Sequence, residues 1–183
     1  GLLHFEGTTK DTIGEYLNQR KLEKNINEFK QSGTNQSAVI KSITFSAHQE
    51  NFDFGKNISI NIDVFSKENI SNAQISVGVI NSLDVAIAMC YLNKFISLEA
   101  NKEHSFTFEI NSEYLLAPGN YKLATVLIKG DVLGAYESLD IVVGFPYFKI
   151  IASQNQQNSD YNIYKWRADW PGIYLKGKIN RIE

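Results

Sequence analysis

The chain is dominated by apolar residues at every second position. Ile58, Ile60, Ile62 and Val64 alternate with Ser59, Asn61 and Asp63. Successive side chains of an extended backbone point to opposite faces, so such a run has one face for a core and one for water. The pattern returns at Ile75, Val77 and Val79, set against Gln74, Ser76 and Gly78. It returns again at Phe106, Phe108 and Ile110, set against Ser105, Thr107 and Glu109. Tyr121, Leu123, Thr125 and Leu127 predict another strand, as does the run from Leu139 to Phe145. Further strands are expected from Val39 to Ala47, Val85 to Tyr91 and Phe95 to Glu99. Gly55-Lys56-Asn57, Asn81-Ser82, Pro118-Gly119 and Gly130-Asp131 supply turns between them. No helix-period segment separates the strands, which disfavours a parallel α/β arrangement. The expected fold is all-β, an antiparallel sandwich of seven or eight strands.

The first 30 residues read differently. Thr8-x-x-Asp11 has the form of a helix-capping box, and Ile13, Tyr16, Leu17, Leu22, Ile26 and Phe29 follow at helical spacing. One or two helices are expected between about Lys10 and Lys30, with a thin apolar stripe. Gln31 to Ser37 is polar throughout and reads as a linker. The expected division is a helical segment with linker over residues 1–37 and a sandwich over 38–183. A second polar stretch, Gln154 to Asp160, precedes an aromatic tail that holds both tryptophans, Trp166 and Trp170.

Composition narrows the function. Net charge is −2 over 183 residues with no long basic run, so nucleic acid is not an expected partner. One cysteine, Cys90, rules out an internal disulfide and sits among apolar neighbours as a core thiol. No apolar run reaches the ~18 residues of a membrane span. The sequons at Asn35, Asn57 and Asn69 matter only in a glycosylating secretory pathway.

Catalytic patterns are missing. Gly172 to Ile179 superficially matches a phosphate loop, but no Ser or Thr follows Lys178 and the chain has no room for a helix after it. His4, His48 and His104 lack metal-ligand spacing, no Gly-x-Ser-x-Gly elbow occurs, and no cofactor is expected. The abundance of Asn, Gln, Ser, Tyr and Trp suits sugars instead. Aromatic faces stack on the C–H face of a pyranose while amides and carboxylates bond its hydroxyls. Tyr121, just after Pro118-Gly119, is read as a tyrosine corner, a fold marker rather than a binding residue.

Three stretches together resemble the C-terminal domain of the ATPase subunit of bacterial ABC transporters that export O-antigen and related polysaccharides. Gly7-Thr8-Thr9-Lys10-Asp11-Thr12-Ile13-Gly14-Glu15-Tyr16-Leu17 is similar to the closing segment of that ATPase domain, with Thr12 in place of the usual valine. Leu115-Leu116-Ala117-Pro118-Gly119-Asn120-Tyr121-Lys122-Leu123 is similar to the strand–turn–strand of the family, and the tryptophan-containing tail to its terminal strand. The resemblance implies an immunoglobulin-like sandwich that binds an undecaprenyl-linked glycan in the cytoplasm, at the inner membrane. It also implies a homodimer, with C-terminal strands exchanged in some members, and a nucleotide-binding domain upstream that contacts the transmembrane subunit. Such a module is not itself an enzyme. No binding residue carries over from the family.

From the residues alone, the proposed sugar surface is a sheet face with its loops: Asn81, Asp84, Tyr91, Asn93, Tyr136 and Trp166. Tyr91 and Tyr136 would stack and the others bond hydroxyls. Two alternatives stand beside this reading: a structural module that dimerises the subunit, and a secreted sugar-binding or adhesin domain.

Overall fold

The computed structural model describes residues 25–46, 49–91, 94–111, 115–152 and 173–174. Among these residues, eleven strands follow one 3₁₀ turn at Ile26–Phe29. They are β1 (Ala38–Phe45), β2 (Asn51–Asp53), β3 (Ile58–Ser66), β4 (Ile70–Asn81), β5 (Ala86–Tyr91), β6 (Ile96–Leu98), β7 (Lys102–Ile110), β8 (Leu115–Leu116), β9 (Gly119–Gly130), β10 (Tyr136–Ile151) and β11 (Ile173–Tyr174). Every strand expected from alternation is present, at shifted bounds. β2 was not anticipated, because three residues are too few to show a period, whereas β8 is the first strand of the strand–turn–strand stretch Leu115–Leu123.

The strands form two facing sheets. One is three-stranded, in the order β1-β3-β7, and the other runs β2-β10-β9-β4-β5 with β6 also on β4. Pairing is antiparallel throughout except where β2 lies parallel to the end of β10. β8 and β11 make a separate two-residue ladder. The alternating residues do what their period demands. Ile60, Ile62 and Val64 from β3 meet Val77 and Val79 from β4 and Leu123 and Leu127 from β9 in one continuous core. All seven are fully buried. Burying each such side chain contributes about 1.5–3 kcal/mol relative to leaving it exposed.

Two devices fix the frame. The Tyr121 hydroxyl donates to the Ala117 carbonyl at 2.6 Å, which is the tyrosine corner anticipated from sequence, and burial pushes its pKa up to about 12. Cys90 is half-buried against the core, as read, and burial pushes its thiol pKa up. The seam between the sheets is held by Asp140. Its Oδ2 accepts from the Ile40 amide at 2.8 Å and from Lys30 Nζ at 2.7 Å, while Oδ1 accepts from the Ile141 amide at 3.0 Å. β1 is an edge strand of its sheet, so alternate amides, Ile40's among them, turn away from β3.

The segment read as a linker is a strap. Gln31 donates its amide to Ile141, Asn35 to Ser138 and Gln36 to Leu139, so residues 30–36 run along the free edge of β10. Phe29 stacks on Phe145 at 5.2 Å. Polar composition does not prevent this docking, because the bonds run through the backbone, which polar residues offer as well as apolar ones. Of the expected N-terminal helices, only the turn at Ile26–Phe29 falls within the described residues; the Thr8 capping box lies outside them.

Candidate functional site

The outward face of the six-stranded sheet is the main candidate surface. Residues directly opposite one another on paired strands share a face, so the register gives its rows. Tyr91, Ser76, Val126 and Ile141 form one row across β5, β4, β9 and β10, and Met89, Gly78, Ala124 and Val143 form the next. A third runs Ile80, Lys122, Tyr147. The two central strands therefore carry small residues, Ser76, Gly78 and Ala124, while larger ones stand on the flanks. With strands ~4.8 Å apart, Met89 and Val143 are about 14 Å apart across this floor. Met89 is 56% exposed and Tyr91 46%. A Cβ added at Gly78 would meet Ala124 Cβ and the Ala88 carbonyl at 3.6 Å, in ordinary contact. Gly78 and Ser76 are themselves buried, so the exposed part of this face lies on the flanks, at Met89, Tyr91 and Val143.

Polar groups close the ends. At one end the Gln74 side-chain oxygen accepts from the Val132 amide at 2.9 Å, which holds the β9–β10 loop over the sheet. At the other end Lys122 pairs with Asp84, and Lys122 Nζ lies 6.0 Å from the centroid of the Tyr147 ring. Phe29 of the strap packs edge-on against Tyr147 at 6.5 Å.

The residues named from sequence distribute unevenly over this face. Asn81 ends β4, and its Oδ1 accepts the amides of Leu83 and Val85, both at 3.0 Å. Its amide oxygen is thus committed to the hairpin turn, which Asn residues favour for this reason. Asp84 follows in the same turn with φ of +62°, exposed beside Lys122. Tyr91 stands at the edge, opposite Ser76. Tyr136 opens β10 opposite Gly130, beyond the Ala73 end of β4. Eight residues of strand separate Ala73 from Asn81, about 26 Å. Tyr136 and Asp84 therefore cannot hold one sugar ring together. Asn93 and Trp166 lie outside the described residues. Sequence reasoning missed Lys122 and Tyr147, which are remote in sequence and meet only through the β9–β10 register. The glycine in the middle of β4 was the one local signal, since a strand interior uses glycine where something approaches closely.

A second opening lies at the edge between the sheets, lined by Ile62, Ile75, Ile96, Phe106 and Phe108 with Lys94 at its side. Its volume of about 80 Å³ is only a few waters' worth, too small and too apolar for a sugar. Among the described residues no cluster of His, Cys, Asp or Glu could hold a metal ion, and no helix is long and apolar enough to cross a membrane.

Known proteins share this fold. The Wzt C-terminal domain family matches residues 30–162. The crystal structure of the C-terminal domain of Wzt superposes with a TM-score of 0.63 at 12% identity, covering 84% of this chain and 89% of that one. A Niemann-Pick type C2 protein from the Japanese carpenter ant gives a TM-score of 0.45 at 13% identity, covering 67% of this chain and 98% of that one. No curated protein matches the sequence. With most of its length matched, strap included, the chain belongs to the Wzt C-terminal domain family, the exporter-subunit domains that its sequence resembles.

Proposed function

We propose that this domain is a non-catalytic carbohydrate-binding module that recognises a lipid-linked surface polysaccharide of the O-antigen type for export. The observation that supports it most is the small-floored outward face of the six-stranded sheet, flanked by Met89 and Tyr91. A pyranose laid there places its C–H face on apolar side chains while its hydroxyls reach the charged and polar groups at the ends. Asp84, Lys122 and Tyr147 form the polar end nearest that floor. An open sheet face excludes water poorly, so affinity per domain is modest. A homodimer facing a repeating polymer compensates through avidity. The setting that goes with this reading is the cytoplasmic side of the inner membrane, where the domain works through its ATPase domain on the transmembrane subunit.

The test is a heteronuclear NMR titration with the host strain's own polysaccharide, beside one from an unrelated strain. The expected result is shifts at Ser76, Gly78, Met89, Tyr91, Ala124 and Lys122 with the cognate glycan alone. Unmoved amide resonances with both would remove the glycan reading.

A further inference from the structure

The strap reaches the polar end of the candidate face. Between Val143, opposite Ala124, and Tyr147, opposite Lys122, β10 has Gly144, Phe145 and Pro146 where β9 has only Leu123. The surplus is a bulge, and a bulge re-aims the side chains around it. Phe145 stacks on Phe29 of the strap, with 5.2 Å between ring centres and 27° between planes. Gly144 holds a φ of +89°, which glycine adopts at no steric cost. A Cβ built on it would meet Lys122 Cδ at 3.6 Å and Phe29 Cδ1 at 3.7 Å. The ring of the strap and the stem of the lysine therefore flank one glycine. Phe29 and Lys122 also share the Tyr147 ring, Phe29 edge-on at 6.5 Å and Lys122 Nζ at 6.0 Å from its centre.

The strap is held in a way that can open by itself. Gln31, Asn35 and Gln36 bond β10 through their amides, and all three side chains are exposed, as are Ser32 and Gly33. Its apolar packing on the core is at its start, through Ile26 and Phe29, beside the Lys30–Asp140 pair. Segments with few buried apolar contacts and exposed backbone bonds open at a fraction of the cost of global unfolding. Phe29 thus serves twice, as an anchor of the strap and as a wall for Tyr147.

We propose that Phe29 is a positioning residue of the glycan face, so that the polar end is complete only while the strap is docked. With the strap down, Phe29 fixes the Tyr147 ring and the Gly144 bulge against which Lys122 lies. With the strap lifted, the ring and the lysine stem lose that support. This rests on the carbohydrate reading given above and adds a means of regulating it. A contact or pull transmitted to the strap from the residues before it would loosen the sugar. Bound sugar would hold the strap down by the same factor, because coupling between two sites is reciprocal.

The test uses the full 183-residue chain in heteronuclear NMR with the host strain's own polysaccharide. Saturating the wild type should slow hydrogen exchange at the Gln31, Asn35 and Gln36 amides by about 10-fold, within the range usual for coupled sites. This arm needs no variant. Phe29→Ala should weaken binding by about the same factor, with unshifted Val77 and Leu123 amides showing that the core stands. Phe29→Tyr keeps the ring and should restore the wild-type midpoint. Equal midpoints in the wild type and Phe29→Ala overturn the positioning role and leave the glycan reading standing. Weaker binding in Phe29→Ala with strap exchange unmoved by the polysaccharide makes Phe29 a packing residue and overturns the coupling. A wild-type spectrum that the polysaccharide leaves unmoved overturns the glycan reading, and this role with it.

Discussion

The two sheets turn opposite kinds of surface to the outside. The outer face of β1, β3 and β7 is polar and already satisfied. Asp63 accepts from Ser42 at 2.5 Å and from Ser105 at 2.7 Å, and Asn61 accepts from Ser46 at 3.0 Å and Thr107 at 3.2 Å. Asn57 donates to Glu109 beside them. Among the described residues, the outer face of β4, β9 and β5 has no such ladder across its middle: its floor is Ser76, Gly78, Ala124 and Val126, with its bonds at the ends. Both faces come from the same period-two alternation. The difference lies in what fills the outward positions. Groups that bond one another make a finished surface, whereas small and apolar groups leave one that gains by being covered.

The largest effect is expected where the two sheets are tied together. Asp140→Ala removes the acceptor for Lys30 and the Ile40 amide, leaving a largely buried ammonium and a buried amide without their partner. Losing one member of a buried pair costs about 3–5 kcal/mol. Urea unfolding should show that loss, with both faces disappearing in one transition. Retention of full stability would mean that the seam does not join them.

Next comes the tyrosine corner. Tyr121→Phe forfeits one buried hydrogen bond to Ala117, a loss of about 1–2 kcal/mol. The wild-type pKa, pushed up to about 12, sets an alkaline limit as well. A raised folded pKa gives stability that is complete below the unfolded value of ~10 and is lost as pH rises through the folded one. Thermal unfolding should therefore fall between about pH 10 and 12 in the wild type and be flatter in the variant.

The polar face should show a smaller effect of opposite pH sense. The Ser42 hydroxyl, then that of Ser105, holds the Asp63 carboxyl below the usual carboxylate range. Its contribution is present above the unfolded value of ~3.9 and is lost as pH falls through the lower folded value. Asp63 is partly exposed and solvent screens it, so Asp63→Asn should cost ~1 kcal/mol or less at neutral pH. The difference from wild type should shrink in acid. A difference that grows there would refute the assignment.

The alternation made the strands and their core side legible, since Ile58 to Val64 can be placed without any tertiary information. Tyr121 was legible because its turn is local. Gln31 to Ser37 was not, because what docks the strap is backbone bonding to β10 and not side-chain character. The site was the least legible part. Asn81 has the chemistry of a sugar ligand, yet a hairpin turn uses its amide oxygen. Lys122 and Tyr147 look ordinary in sequence and acquire a role only when the register places them side by side. A pairing partner remote in the chain leaves no local pattern to read.

The smallest expected effect on stability bears most directly on the contrast between the faces. Ala124 sits on the small floor, half-buried, between Gly78 and Val143. Ala124→Phe fills that floor from the solvent side without entering the core, and surface changes of this kind stay within about 0.5 kcal/mol. Thr107→Phe makes a comparable addition to the opposite face, where Thr107 is exposed. If recognition belongs to the six-stranded sheet, the first variant loses the glycan-induced amide shifts and the second keeps them, at nearly equal stability. If both variants keep the shifts, the glycan is held away from this floor, and the small residues of β4 and β9 serve packing alone. If only Thr107→Phe loses them, the saturated face is the binding face, and self-bonded polar groups would then have to release one another to take up the sugar.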